Sequence, residues 1–145
     1  MQYGEMLTYE FDQTRRILHV HFLHKVHLKT MAEADVHFRE FENAIKDLAG
    51  GEKVYLIIDL SNLIIEPSLA EQYARQAKRI SSQYAYPNGI ARYGHQITRI
   101  TIIQGYRNHL QCDPNLFSSG GEAQHYIENL ISSSSESSPV SQTKL

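Results

Sequence analysis

The chain has 145 residues, of which 41% are hydrophobic and 21% charged, with a formal net charge of −2, the proportions of one ordinary globular domain. Basic and acidic residues read as interspersed, so no clustered basic footprint for nucleic acid or an anionic membrane is expected. Cys112 is the sole cysteine, which excludes an intrachain disulfide and fits a reducing compartment, and no apolar run approaches the ~20 residues that span a bilayer.

The first residues, MQYGEMLTYEFD, have neither the basic start nor the apolar stretch of a signal peptide, so a cytoplasmic protein is expected. Met6 to Phe11 alternates Leu7, Tyr9 and Phe11 with Met6, Thr8 and Glu10, the period of a half-buried strand. Asp12 to Arg15 reads as a turn. From Ile17 to Leu23, Leu18, Val20 and Phe22 then fall on one side and His19 and His21 on the other. The two segments predict a β-hairpin. Thr30 and Glu33 have the spacing of a capping box, in which each side chain satisfies a backbone donor of the other residue. Ala34, Phe38, Phe41, Ile45 and Leu48 recur at steps of three and four, one face of a helix that Gly50-Gly51 should end.

Val54 to Leu60 is almost continuously apolar and β-branched, as a central strand covered on both faces requires. A loop from Asn62 to Glu66 follows. Pro67 fits the first turn of the next helix, where its missing N–H costs nothing, and Leu69, Tyr73, Ala77, Ile80 and Tyr84 supply a buried stripe. Pro87-Asn88-Gly89 reads as a break. Ile97 to Ile103 (ITRITII) predicts the fourth strand, preceded by a short extended piece from Ile90 to Tyr93. Gln104 to Phe117 is irregular. Ser119 and Glu122 open a last helix carrying Ala123, Tyr126, Ile127, Leu130 and Ile131. Residues 1–131 thus predict one α/β domain with the order β-β-α-β-α-β-α, and 132–145 a disordered, serine-rich tail.

The stretch LIIDLSNLIIEPSLAEQ, from Leu56 to Gln72, resembles the signature of STAS domains, whose buried strand ends in D-L-S and leads to a serine at a helix start. Asp59, Leu60 and Ser61 match the strand end, and Ser68 falls where that family carries its phosphorylatable serine. The ending, Asn115-Leu116-Phe117-Ser118-Ser119 followed by Glu122-Ala123, and the start at Tyr9-Glu10-Phe11 are similar to the SpoIIAA-like branch of anti-sigma-factor-antagonist-like proteins. The family pattern has an aspartate beside the serine and a glycine after it, whereas this chain has Glu66-Pro67-Ser68-Leu69. The resemblance implies a mixed sheet with helices packed mainly on one face. It also implies a non-catalytic role in protein interaction or small-ligand sensing.

Ser68, in the first turn of a helix, is the candidate phosphosite, because free N–H groups and the helix dipole there favour an anion. Asp59, Ser61, Asn62, Glu66 and Ser68 together form the candidate ligand or partner loop, beside the crevice where open α/β sheets bind ligands. Against this, a strand-end aspartate commonly holds loop N–H groups. His19 and His21 leave the same strand face and are weak metal candidates, since a zinc site needs a third ligand; a polar outer face of the hairpin is the simpler reading. His109 and Cys112 lack an orienting third group for nucleophilic catalysis. Arg92, Arg99 and Arg107 could neutralise an anionic ligand, but read as dispersed surface charges. No phosphate-cradling loop surrounds Gly120-Gly121, and no cofactor is expected. The expected role is therefore a module that binds a protein partner or a second copy of itself, through the hairpin end or the open sheet face. Tyr3, Tyr9, Tyr86, Tyr93 and Tyr106 are the candidate interface residues. A small-molecule or lipid pocket near the loop after the third strand is the alternative, with the 104–117 segment as its lid.

Overall fold

The computed structural model describes the backbone of residues 2–3, 6–110 and 112–144, and the side chains of 6–110 and 112–133. Strands β2 (Leu7–Asp12) and β3 (Ile17–Phe22) form the expected antiparallel hairpin. Asp12 accepts the Arg15 N–H in the turn, and Arg16 takes a left-handed φ of 60° to enter β3. Helix α1 (Met31–Ala49) opens on the reciprocal Thr30–Glu33 capping box and ends at Gly50, whose φ of 64° is the left-handed cap glycine favours. The Arg16 guanidinium donates to the Ala49 carbonyl at 2.7 Å, placing a cation at the negative end of the helix dipole.

Strand β5 (Val54–Asp59) pairs in parallel with β3 on one side and with β7 (Ala85–Tyr93) on the other. A two-residue β1 (Gln2–Tyr3) and a two-residue β8 (Leu116–Phe117) complete a six-stranded mixed sheet in the order β1-β2-β3-β5-β7-β8. Two short strands missed in the sequence, β4 (Val26–Leu28) and β6 (Leu63–Ile65), pair in parallel as a separate ribbon. The segment between Asn62 and Glu66, expected as loop, therefore contains a strand.

Leu18, Val20, Phe22, Leu56 and Ile58 face α1 and α2 (Ala70–Tyr84), which bury the stripes expected of them; Ile17, Ile57 and Ala91 face the opposite way and are covered by Ala123 and Ile127 of α4 (Gly120–Lys144). Three helices thus lie on one side and α4 on the other, so the sheet face expected to be open is partly covered. The serine-rich tail expected over 132–145 lies, from residue 134 on, outside the described side chains.

Two expectations about the later half are overturned. Ile97 to Ile103 is not a strand but the body of helix α3 (Gln96–Gly105). Its buried residues, Thr98, Thr101 and Ile102, follow the helical step of three and four. The Thr98 hydroxyl donates to the Leu63 carbonyl and Thr101 back to that of Ile97. The place beside β5 is already filled by β7, so the intrinsic strand preference of Ile and Thr yields to tertiary context. Nor does Pro87-Asn88-Gly89 end an element. The register jumps from Val54↔Ala85 to Leu56↔Ile90, so Tyr86 to Gly89 bulge out of β7 with Asn88 at φ 59°. Proline is tolerated in such a bulge because no ladder hydrogen bond is asked of it.

Candidate functional site

Asp59, at the end of β5, accepts the Ser61 N–H at 2.9 Å and faces His21 Nδ1 at 3.2 Å. Burial pushes its carboxyl up, but the hydrogen bonds from Ser61 and His21 outweigh this and hold the pKa below the usual aspartate value. Tyr93 pairs across from Asp59 in the sheet, and burial with the nearby carboxylate charge raises its hydroxyl pKa to about 12. Thr8, His21, Asp59 and Tyr93 thus form a polar row across the α4 face, at the carboxyl ends of the parallel strands. Asn62 Nδ2 reaches the Phe22 carbonyl at 3.5 Å, and Glu66 pairs with His27 at 2.8 Å. The five loop residues therefore reach different partners and do not converge on one cavity. Ser68 is exposed in the short 3₁₀ turn Pro67–Leu69, with Pro67 at its first position as expected.

His19 and His21 do share a face, and both are partly buried there. Burial lowers the His19 pKa, and the neighbouring His21 adds to the effect. Among the described residues no three His, Cys, Asp or Glu side chains come together as metal ligands. His109 and Cys112 are drawn apart: His109 pairs with Glu71 at 2.8 Å, while Cys112 Sγ lies 3.7 Å from the Lys78 ammonium. Of the tyrosines expected at a surface, Tyr9 and Tyr106 are core residues at 2% and 3% exposure, and Tyr86 and Tyr93 are half-buried. Tyr3 lies outside the described side chains.

Two features were missed in the sequence. The first is Arg92, read as a surface charge but 2% exposed. In β7 it stands beside Ile58, and its guanidinium donates to the Pro114 carbonyl and, at 2.9 Å, to the Tyr106 hydroxyl. It forms one wall of an open cavity of about 560 Å³, bounded by α2, the β7 bulge, Tyr106, Cys112, Asp113 and Asn115. The available signal was local charge. From Gln72 to Cys112 there is no Asp or Glu, while Arg75, Lys78, Arg79, Arg92, Arg99 and Arg107 fall in that span, so charges are not interspersed here.

The second is a set of exposed large apolar side chains: Ile97 at 71%, Ile100 at 47%, Ile64 at 41% and Met31 at 61%. Helix α3 packs on β6, so Ile97, Ile100 and Ile64 stand on adjoining elements, and β6 pairs with the β4 strand that leads into α1. The Ser68 turn directly follows β6. Among the described residues, no helix is long and apolar enough to cross a membrane.

No protein-family model matches the chain, and no curated protein does. Among solved structures it is similar to an anti-sigma factor antagonist from Mycobacterium paratuberculosis, with a TM-score of 0.57 and 13% identity over 88% of this chain and 99% of that one. An uncharacterised SpoIIAA-like-fold protein from Shewanella loihica also matches, with a TM-score of 0.47 and 15% identity over 88% and 96% of the two chains. The first likeness establishes a shared fold, the one implied by the strand end at Asp59-Leu60-Ser61.

Proposed function

We propose that this chain, which has the fold of an anti-sigma factor antagonist, is a non-catalytic protein-binding module that docks a partner on the α3–β6 end. The observation that carries the reading is the exposure of Ile97 and Ile100 one helical turn apart on α3, beside Ile64 on β6. Single exposed apolar residues are ordinary, but large ones grouped on adjoining elements mark interaction sites. Arg99 on α3 and Arg107 just beyond it lie inside the acid-free stretch of sequence, and the nearby carboxylates are already engaged, Glu66 by His27 and Glu71 by His109. The partner is therefore a protein surface with an apolar centre and acidic rim, since complementary charge orients and speeds docking. Ser68 stands at the edge of this surface, where a phosphate would add negative charge and repel an acidic partner.

The test is photo-crosslinking in cells, with a benzophenone amino acid at position 97 and, as control, at the exposed Glu52. One recurrent partner caught only from position 97, through an acid-rimmed apolar segment, is the expected result. The double change Ile97→Ser with Ile100→Ser should then weaken its binding at least about tenfold, as loss of central apolar anchors does. Equal capture from both positions would refute the reading. So would a cross-link to a second copy of the chain, or a double variant that binds the partner normally.

A further inference from the structure

The cavity bounded by Arg92 shares no lining residue with the exposed cluster of Ile97, Ile100 and Ile64, and its chemistry is distinct. Arginine stays charged at any pH a protein meets, and a charge taken out of water is normally matched by an opposite one. Among the described residues the Arg92 guanidinium has only neutral partners, the Pro114 carbonyl and the Tyr106 hydroxyl, and it also lies 5.2 Å from the Tyr106 ring centre. No carboxylate is ion-paired with it among the described residues. Two further cations, Lys53 and Lys78, line the same cavity; Lys53 Nζ donates to the Gln83 carbonyl and Lys78 Nζ to Cys112 Sγ, again neutral acceptors. Among the described lining residues the only carboxylate is the exposed Asp113, whose Oδ1 accepts the Asn115 N–H.

We propose that this cavity is a binding site for a small organic anion, whose carboxylate or phosphate pairs with Arg92 and whose body lies against Tyr86, Pro87 and Ile90. A volume of about 560 Å³ is that of an ordinary small-ligand pocket, in which apolar walls hold the body and a few placed polar groups fix its orientation. The planar guanidinium retains N–H groups beyond the two already donated, and it suits forked recognition of either anion. The walls are held in place from behind. Asn115, at φ 54°, accepts the Arg92 N–H on its carbonyl at 2.9 Å and donates its side chain to the Ile90 carbonyl at 3.0 Å. Tyr126 of α4 donates to the Asn88 carbonyl at 2.8 Å, bracing the bulge. The β7 bulge thus keeps Tyr86 and Pro87 at the cavity mouth instead of in the sheet.

The test is a nuclear magnetic resonance titration of the ¹⁵N-labelled full chain with sodium benzoate and, separately, inorganic phosphate, each at constant ionic strength balanced with chloride. The expected result is saturable movement of the Ile90, Tyr106 and Asn115 amides and of the Arg92 Nε–H, with half-saturation at or below about 1 mM for at least one probe. Saturation by benzoate alone assigns a carboxylate head group, and by phosphate alone a phosphate. Lys78→Ala and Ser82→Trp both alter exposed α2 positions that line the cavity, so both variants should fold. The first should weaken binding several-fold by removing one charged partner, and the second should abolish it by filling the space. Movements linear in both probes, or saturable ones that survive Ser82→Trp, would overturn the proposal. Neither outcome depends on the α3 docking surface.

Discussion

His37 gives the sharpest physical test of the core. It is 4% exposed on α1, packed among the rings of Phe22, Phe38, Phe41 and Tyr73, and its Nδ1 is buried with no hydrogen-bond partner among the described residues. Burial pushes its pKa down from 6.5 to about 4. The folded protein therefore holds it neutral at a pH where the unfolded chain has already taken up a proton. Stability contributed by the neutral ring is fully present above pH 6.5 and is lost as pH falls toward 4, by roughly 3 kcal/mol in all at about 1.4 kcal/mol per pKa unit. Between pH 7 and pH 5 the loss is roughly 2 kcal/mol by the same linkage. Changing His37→Phe removes the titration and also the unpaired Nδ1, and sets a planar apolar ring among the same aromatic neighbours. Urea unfolding followed by circular dichroism at both pH values measures the effect. The variant should gain about 1 kcal/mol at pH 7, the order of an unpaired buried group's cost. It should also lose roughly 2 kcal/mol less than the parent on going to pH 5. The difference between the two proteins is the readout, because His19 and the carboxylates titrate alike in both. Equal losses on acidification, or a variant weaker than the parent at pH 7, would refute the reasoning.

Two further predictions concern packing and the polar row. A Cβ on Gly105 would run into the Ala70 carbonyl oxygen and come within 2.9 Å of its carbon and 3.1 Å of Ala74 Cβ; Gly105→Ala should therefore destabilise by about 2 kcal/mol, despite alanine's advantage of about 1 kcal/mol in a helix. Calorimetric unfolding measures this, and a stabilised variant would contradict the close α2–α3 crossing. In the polar row, Asp59→Asn removes the charge beside Tyr93, so the Tyr93 hydroxyl should ionise at a lower pH than its present value of about 12. Titration of ¹³C-labelled tyrosine signals follows it, and an unchanged Tyr93 would mean that burial alone sets the shift.

The elements legible in the sequence are those whose evidence is local. The Thr30–Glu33 capping box, the Gly50 stop, the hairpin alternation and the apolar run of β5 each depend on residues within a few positions of one another, and each stands where the residues place it. What was misread depends on distant neighbours. ITRITII prefers a strand by composition, and only the occupation of the β5 edge by β7 makes it a helix. Pro87 signals a break unless β7 can bulge at its free edge, which requires knowing that β8 pairs only with Arg92 and Tyr93. Arg92 itself illustrates the limit for sites: an arginine two residues after Ile90 on an alternating strand belongs to the buried face, but that inference needs the strand to be recognised first. The Asp59 turn was anticipated as a carboxylate holding a loop N–H, because an Asx turn is local chemistry.

The central position of β5 also bears on how the chain is made. Its partner Tyr93 is synthesised 34 residues after Asp59, whereas the β2–β3 hairpin needs only its own turn to close. At ordinary rates of translation, the β7-facing edge of VYLII stays unpaired for roughly 2–7 s. A β-branched, uncharged, proline-free segment is the kind that recruits identical strands from neighbouring chains. During that interval β3 and α1, already synthesised, can protect one edge and one face only. The strand that anchors the finished sheet is thus its most exposed liability on the ribosome, and slowing translation between codons 60 and 93 should send more of the product into aggregates.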